Sequence, residues 1–411
     1  MFERVRRTFT DFPLRFWILV GASFVDNLGR TMLFPFFALY ITEKFGVGMT
    51  EAGLVSGSFS LFGLIGSFAG GAFSDKFGRK ALLLFGLVVS GLSSLLMGFA
   101  TSLSMIYAVS VVVGVLSSVG WPAQSAMVAD MLPESQRADG FGIFRVTGNL
   151  AWIIGPSLGG LIAIRSYLPL FIMDAVLSCI TGVIIYFMIA ETRPQPKEGQ
   201  AGESFWSTLT GYKVVALDGL FMAFIIVSIL MLIVYQQMYN TLSVYLRDVH
   251  GVPARGYGLL LSIDALLVVV AQLWVTGKVK RRPPMLMMAL GAGLYMIGFG
   301  MYGFVSGYAL FVVAIIFITV GEMITMPVSQ SLAAAFAPEA MRGRYMAVYG
   351  LTWSLPSIVG GWAAGLILDN YNPNWVWYLG GLICAVSVLG FIALHALGHT
   401  RLPQPEAETV V

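Results

Sequence analysis

Asp26, Asp264 and Glu322 each interrupt a long apolar run. Keeping a charge at the middle of a bilayer costs about 2.5–3.5 kcal/mol. Neutralising an aspartate of reference pKa about 3.9 at pH 7 costs about 4 kcal/mol, at about 1.36 kcal/mol per unit. The two costs are similar, so a small change in hydration or a nearby cation decides which form prevails. Reversible proton uptake and release is therefore the chemistry open to these three side chains. Arg30 stands four residues after Asp26, a spacing that lets the two pair on one helix face. Arg145 is a second cation within an apolar run, whereas Glu322 has no charged neighbour in its own. Asp174 falls close to the outer end of its run and is read as hydrated.

A binding cavity needs apolar and aromatic walls with a few polar groups. Tyr235, Gln236, Tyr239 and Asn240 follow helical spacing and are the stretch chosen as its lining, with Trp121, Trp152, Trp353 and Met326, beside Pro327, as further candidates. Taken one at a time, each of these side chains fits packing or lipid contact better than a cavity wall. No nucleophile–base constellation or metal cluster is evident, and His250, His395 and His399 fall at run ends or in a loop. Cys179 and Cys384 lie in apolar runs and read as small core residues rather than a disulfide. The expectation is a chain that is not an enzyme and carries no metal or cofactor, so a proton gradient would be its energy source.

The elements that hold these residues are set by composition. The 411 residues are 57% hydrophobic and 11% charged, with mean hydropathy +0.83. A soluble protein carries about 25% charged residues, so the solvent here is the bilayer. Net charge +3 is too small to suggest nucleic acid. A spanning helix needs about 20 apolar residues, and twelve runs qualify: 14–42, 50–74, 80–100, 103–130, 138–165, 168–190, 217–246, 256–279, 284–304, 307–335, 343–369 and 375–398. The proline-bearing, polar stretch 191–216 reads as a linker between bundles at 1–190 and 217–398, with a polar tail at 399–411. Lysine and arginine concentrate on one side, at Arg4, Arg6, Arg7, Lys76, Arg79, Lys80, Lys278, Lys280, Arg281 and Arg282 among others. That bias places both termini in the cytoplasm. One ungapped offset of 205 residues lays Tyr40 on Tyr245, Gly46 on Gly251, Gly53 on Gly258, Pro122 on Pro327, Gly160 on Gly365 and Cys179 on Cys384. Parallel repeats of this kind imply two six-helix bundles around a central cavity.

Two stretches add a resemblance. Gly70-Gly71-Ala72-Phe73-Ser74-Asp75-Lys76-Phe77-Gly78-Arg79-Lys80 joins the second and third runs. The spacing of Gly71, Asp75, Gly78, Arg79 and Lys80 resembles the signature loop of the major facilitator superfamily. Gly155-Pro156-Ser157-Leu158-Gly159-Gly160 in the fifth run is similar to the motif of its 12-helix drug:proton antiporters; on residues alone, Gly155, Pro156, Gly159 and Gly160 are also a packing kink. The resemblance implies an all-α membrane protein with twelve spans in two pseudo-symmetric six-helix bundles. It implies alternating-access export of small lipophilic compounds against protons by a monomer in the inner membrane. It also implies that Asp75 faces the start of the eleventh helix and that Arg79 reaches Asp130 as a gate. One residue departs: the family's arginine in the fourth span is Ser110 here, so that arginine's relay role does not carry over, and Arg30 or Arg145 would have to substitute. The rival expectations are a sugar or metabolite exporter of the same superfamily and a membrane sensor without transport.

Overall fold

The computed structural model describes residues 12–118, 120–192, 212–338 and 341–397, without the side chains of 68–77, 121–122, 134–135, 138 and 342. The expected linker falls mostly, and the expected tail wholly, outside these residues. Among the described residues every regular element is helical: α1 Leu14–Leu33, α2 Phe37–Phe45, α3 Met49–Phe77, α4 Arg79–Gly98, α5 Leu103–Ser118, α6 Gly120–Met131, α7 Glu134–Ala163, α8 Leu168–Met188, α9 Gly219–Tyr235, α10 Leu242–His250, α11 Ala254–Val279, α12 Pro284–Tyr302, α13 Tyr308–Phe336, α14 Arg342–Asn370 and α15 Trp375–Leu397. Each of the twelve apolar runs coincides with one of these helices or with a consecutive pair. Among the described residues, ten stretches are long and apolar enough to cross a membrane.

The first and seventh runs are not continuous α-helices. Pro35 lacks an N–H and falls in a 3-10 turn, Phe34–Phe36, between α1 and α2. Between α9 and α10 a 3-10 turn, Gln236–Met238, does the same without proline. There the Gln237 side chain substitutes for the backbone, donating to the Ile233 carbonyl at 2.7 Å and accepting from the Thr241 hydroxyl at 2.6 Å.

The duplication reaches individual bonds. Gly46 and Gly251 end α2 and α10 with φ of +62° and +64°, a conformation that favours glycine. The Tyr40 hydroxyl donates to the Met97 carbonyl, and the Tyr245 hydroxyl donates to the Tyr302 carbonyl. Both donors and both acceptors are separated by the same 205 residues.

The chain forms two compact units. One contains residues 1–47, 55–197 and 252–262; the other contains 48–54, 198–251 and 263–411. The start of α3 thus folds with the second unit, and the start of α11 with the first. In the first unit an apolar core gathers Phe16, Leu19, Val20, Leu83, Leu87, Met127 and Ile185 from α1, α4, α6 and α8. In the second, Tyr245, Tyr295, Tyr302, Phe299, Phe311 and Trp377 are fully buried around α12.

Candidate functional site

In the second unit, Asp264 of α11 is buried, and its carboxylate accepts the Thr319 hydroxyl of α13 at 2.7 Å. Glu322 follows three residues after Thr319, so the two share a face of α13 with about 5–6 Å between their Cβ atoms. Two acidic side chains from neighbouring helices therefore fall within about one helical turn of each other along α13. Tyr235 and Tyr295 stack with centroids 5.5 Å apart. Both hydroxyls lie within electrostatic reach of Asp264 and Glu322. The Tyr235 ring meets Trp353 edge-on at 6.2 Å, and its hydroxyl is 3.1 Å from that of Tyr239. Among the cavity candidates, Tyr235 and Asn240 are buried, whereas Gln236, Tyr239 and Met326 are half-buried and Trp353 is exposed. Gln236 donates to the Ser357 hydroxyl.

The first unit holds a different arrangement. One Asp26 oxygen lies 3.1 Å from Arg30 Nη2, and the other accepts the Ser178 hydroxyl of α8 at 2.9 Å. Arg30 also donates to Asn27 Oδ1 at 3.2 Å. The expected i, i+4 pair is therefore formed, with one oxygen committed to a neighbouring helix. Asp26 is not sealed in: its side chain is 18% exposed, that of Arg30 54%, and Glu322 in the other unit is half-buried. Arg145 is exposed on α7 and makes no ion pair among the described residues. Trp152 is half-buried and meets Phe34 edge-on at 6.5 Å. The side chain of Trp121 lies outside the described residues.

Asp174 corrects the sequence reading. It is 6% exposed rather than hydrated, and it accepts the Ser94 hydroxyl of α4. Gly29 of α1 permits this, because a Cβ there would lie 3.1 Å from Asp174 Cα. Proximity to the end of a run gave no sign that three helices close over the residue. Cys384 is buried as expected, whereas Cys179 is exposed. It faces an apolar groove of about 370 Å³ lined also by Leu95, Val176, Ile180 and Val183, which has no group to orient a polar substrate.

At the loop between α3 and α4, Gly78 adopts φ +95°. Arg79 pairs with Asp130 and donates to the Ala126 carbonyl at 3.0 Å. Asp75 and Gly71 belong to α3, but the Asp75 side chain lies outside the described residues. Glu191 was not anticipated. Its carboxylate accepts the Arg79 N–H at 3.0 Å and the Lys80 N–H at 3.2 Å, capping the start of α4, while Lys80 Nζ donates to the Tyr186 carbonyl at 2.7 Å. The available signal was position: Glu191 immediately follows the sixth run, which ends on the same side as this loop.

The Gly-Pro stretch on α7 is a packing surface. A Cβ on Gly155 would lie 2.7 Å from Thr31 Cβ, and one on Gly159 2.7 Å from the Phe36 ring. Gly160 and Pro156 touch the start of α11 in the same way, at Ala254 and Gly258.

Comparison with known proteins agrees with this fold. The profile of the Major Facilitator Superfamily matches residues 19–361 and 324–410. A Na(+), Li(+), K(+)/H(+) antiporter of Planococcus maritimus is 29% identical over 370 residues, covering 83% of this chain and 86% of that protein. Multidrug resistance protein 2 of Bacillus subtilis is 28% identical over 305 residues, covering 71% and 74%. Among solved structures, the nucleoside transporter NupG superposes with TM-score 0.79 at 16% identity, covering 92% of this chain and 99% of that one. A POT family transporter in complex with 5-aminolevulinic acid gives 0.78 at 18% identity, covering 94% and 97%.

Proposed function

Since the chain belongs to the Major Facilitator Superfamily, we propose that it is a proton-coupled antiporter of the cytoplasmic membrane with both termini inside, exporting amphipathic, cationic drug-like compounds by alternating access. The observation that carries the reading is the Asp264–Thr319–Glu322 arrangement beside stacked Tyr235 and Tyr295. Buried carboxylates in a membrane protein are costly and mark ion or proton pathways. Aromatic faces attract cations. A cationic substrate and protons then compete for the same negative charge: protonation of Asp264 and Glu322 discharges the substrate, and loss of those protons readmits it. Asp26 contributes on the other unit, where Arg30 compensates its charge. The similarity to Multidrug resistance protein 2 supports this substrate class.

A second reading has its own support. Asp26, Asn27, Ser178, Asp174 and Ser94 gather hard oxygen atoms from α1, α4 and α8, and such ligands suit alkali cations. The Planococcus maritimus relative is named for Na(+), Li(+) and K(+) exchange.

Everted vesicles with an imposed pH gradient separate the two. The first reading expects accumulation of a lipophilic cationic dye that Glu322→Gln abolishes, with no response to Na+ or Li+. Dissipation of the pH gradient by Na+ or Li+, without dye accumulation, establishes the second. Wild-type transport rates in Glu322→Gln overturn the coupling role of that carboxylate.

A further inference from the structure

Asp369 stands near the C-terminal end of α14, and its carboxylate accepts three hydrogen bonds from the start of α3. The donors are the Met49 N–H at 2.9 Å, the Thr50 N–H at 2.7 Å and the Thr50 hydroxyl at 2.6 Å. The first amides of a helix have no partner within it, and the helix dipole favours a negative group there. Neighbouring glycines make the approach possible. A Cβ on Gly48 would fall 2.6 Å from the Asp369 carboxylate carbon, one on Gly53 2.5 Å from Trp362 N, and one on Gly365 2.6 Å from Thr50 N. The first turns of α3 therefore meet α14 backbone to backbone, with the carboxylate closing the end.

The internal repeat supplies a control. The 205-residue offset carries Gly53 to Gly258, Gly361 to Pro156 displaced in the other direction, and Gly365 to Gly160 likewise. The close packing recurs there, between the start of α11 and α7. The cap does not: Asp369 aligns with Ile164, Thr50 with Arg255, and Gly48 with Pro253. Backbone packing of this kind therefore forms without a carboxylate, and Asp369 has a separate task. Residues 48–54 fold with the second unit while α3 from residue 55 onward folds with the first. The cap thus holds the segment of α3 that folds with the second unit. Asp369 is exposed, so water solvates the carboxylate as soon as the contact opens, and release carries little desolvation cost.

We propose that Asp369 is a releasable latch on the start of α3. It holds Met49 and Thr50 against α14 in one state of the transport cycle, frees them in the other, and so sets the balance between the two. Asp369 is a positioning residue; it need touch no substrate.

Hydrogen–deuterium exchange on the full-length protein in lipid nanodiscs tests this, together with thiol labelling of Ala52→Cys, a position that is fully buried, in a Cys179→Ser background. Asp369→Ala removes the acceptor. Gly48→Ala keeps Asp369 but places a methyl group in the carboxylate's space. Each is expected to speed exchange of the amides of residues 49–53 and labelling at position 52 roughly fivefold, the usual scale of a lost helix cap. Exchange at residues 254–259, the uncapped counterpart, stays at the wild-type rate. Equal acceleration at 254–259 means general loosening and overturns the proposal. Unchanged exchange at 49–53 overturns it as well. Faster exchange with unchanged labelling identifies a static cap, which also defeats the latch.

Discussion

Thr319 illustrates how much rests on a single hydroxyl. It is fully buried, donates to Asp264 at 2.7 Å and lies 2.7 Å from the Ile315 carbonyl. One proton cannot satisfy both acceptors at full strength, so the hydroxyl is shared between the carboxylate and its own helix. Thr319→Val keeps the shape and removes the donor. A buried acceptor left without its partner costs about 1–3 kcal/mol, and that loss is expected in the thermal unfolding of Thr319→Val. Thr319→Ser, which keeps the hydroxyl, recovers most of it. An unchanged melting temperature in Thr319→Val would show that Asp264 is held by something else. The sequence made Asp264 and Glu322 visible because charge in an apolar run is conspicuous. Thr319 was not visible, because threonine in a membrane helix is ordinary and only the packing of α11 on α13 gives it a partner. Asp174 was misread for a related reason: depth along a run says nothing about which helices cover a side chain.

At the scale of elements, the glycines of α7 divide into two kinds that sequence treats alike. A Cβ at Gly155 would lie 2.7 Å from Thr31 Cβ and 2.9 Å from the Thr31 backbone carbon, and neither can move without shifting α1. A Cβ at Gly142 of the same helix meets nothing within 4 Å. Gly155→Ala is expected to destabilise by about 1–3 kcal/mol through overpacking. Gly142→Ala is expected to stabilise by about 0.5–1 kcal/mol, since glycine weakens a helix interior. Thermal melts of the two variants in one detergent check the contrast, and equal effects would remove the packing account of the Gly-Pro stretch. Element positions were legible because apolar length alone marks a membrane span. The break between α1 and α2 was marked by Pro35, although the sequence reading ran that span through without interruption. The matching break between α9 and α10 had no such mark, because a glutamine side chain makes it possible. Glu191 escaped notice because its partners at Arg79 and Lys80 are more than a hundred residues earlier in the chain.

For the whole molecule, the two halves share their scaffold but not their charges. The offset that superposes the Tyr40 and Tyr245 bonds carries Asp26 to Met231, Asp264 back to Phe59 and Glu322 back to Ser117. None of these three carboxylates is therefore duplicated with the frame, and two of the three proton-coupling candidates, Asp264 and Glu322, belong to the second unit. On the proposed reading this asymmetry has an electrical consequence. Protonation of Asp26 leaves Arg30 as an uncompensated cation in the first unit, whereas the second unit has no cation paired with Asp264 among the described ion pairs. Two protons taken up by Asp264 and Glu322 in exchange for one monovalent cation carry one net positive charge inward per cycle. A potential of 100 mV, negative inside, contributes about 2.3 kcal/mol per charge, which at about 1.36 kcal/mol per decade steepens the substrate gradient roughly 50-fold. Proteoliposomes at equal pH on both sides are expected to show that response in the wild type. With Asp26 kept ionised by Arg30, Asp264→Asn leaves Glu322 as the one exchanging carboxylate and one-for-one exchange, so the response to potential disappears while a pH gradient still drives transport. Wild-type protein indifferent to the potential, or Asp264→Asn still driven by it, would show that Asp264 and Glu322 do not carry two protons between them.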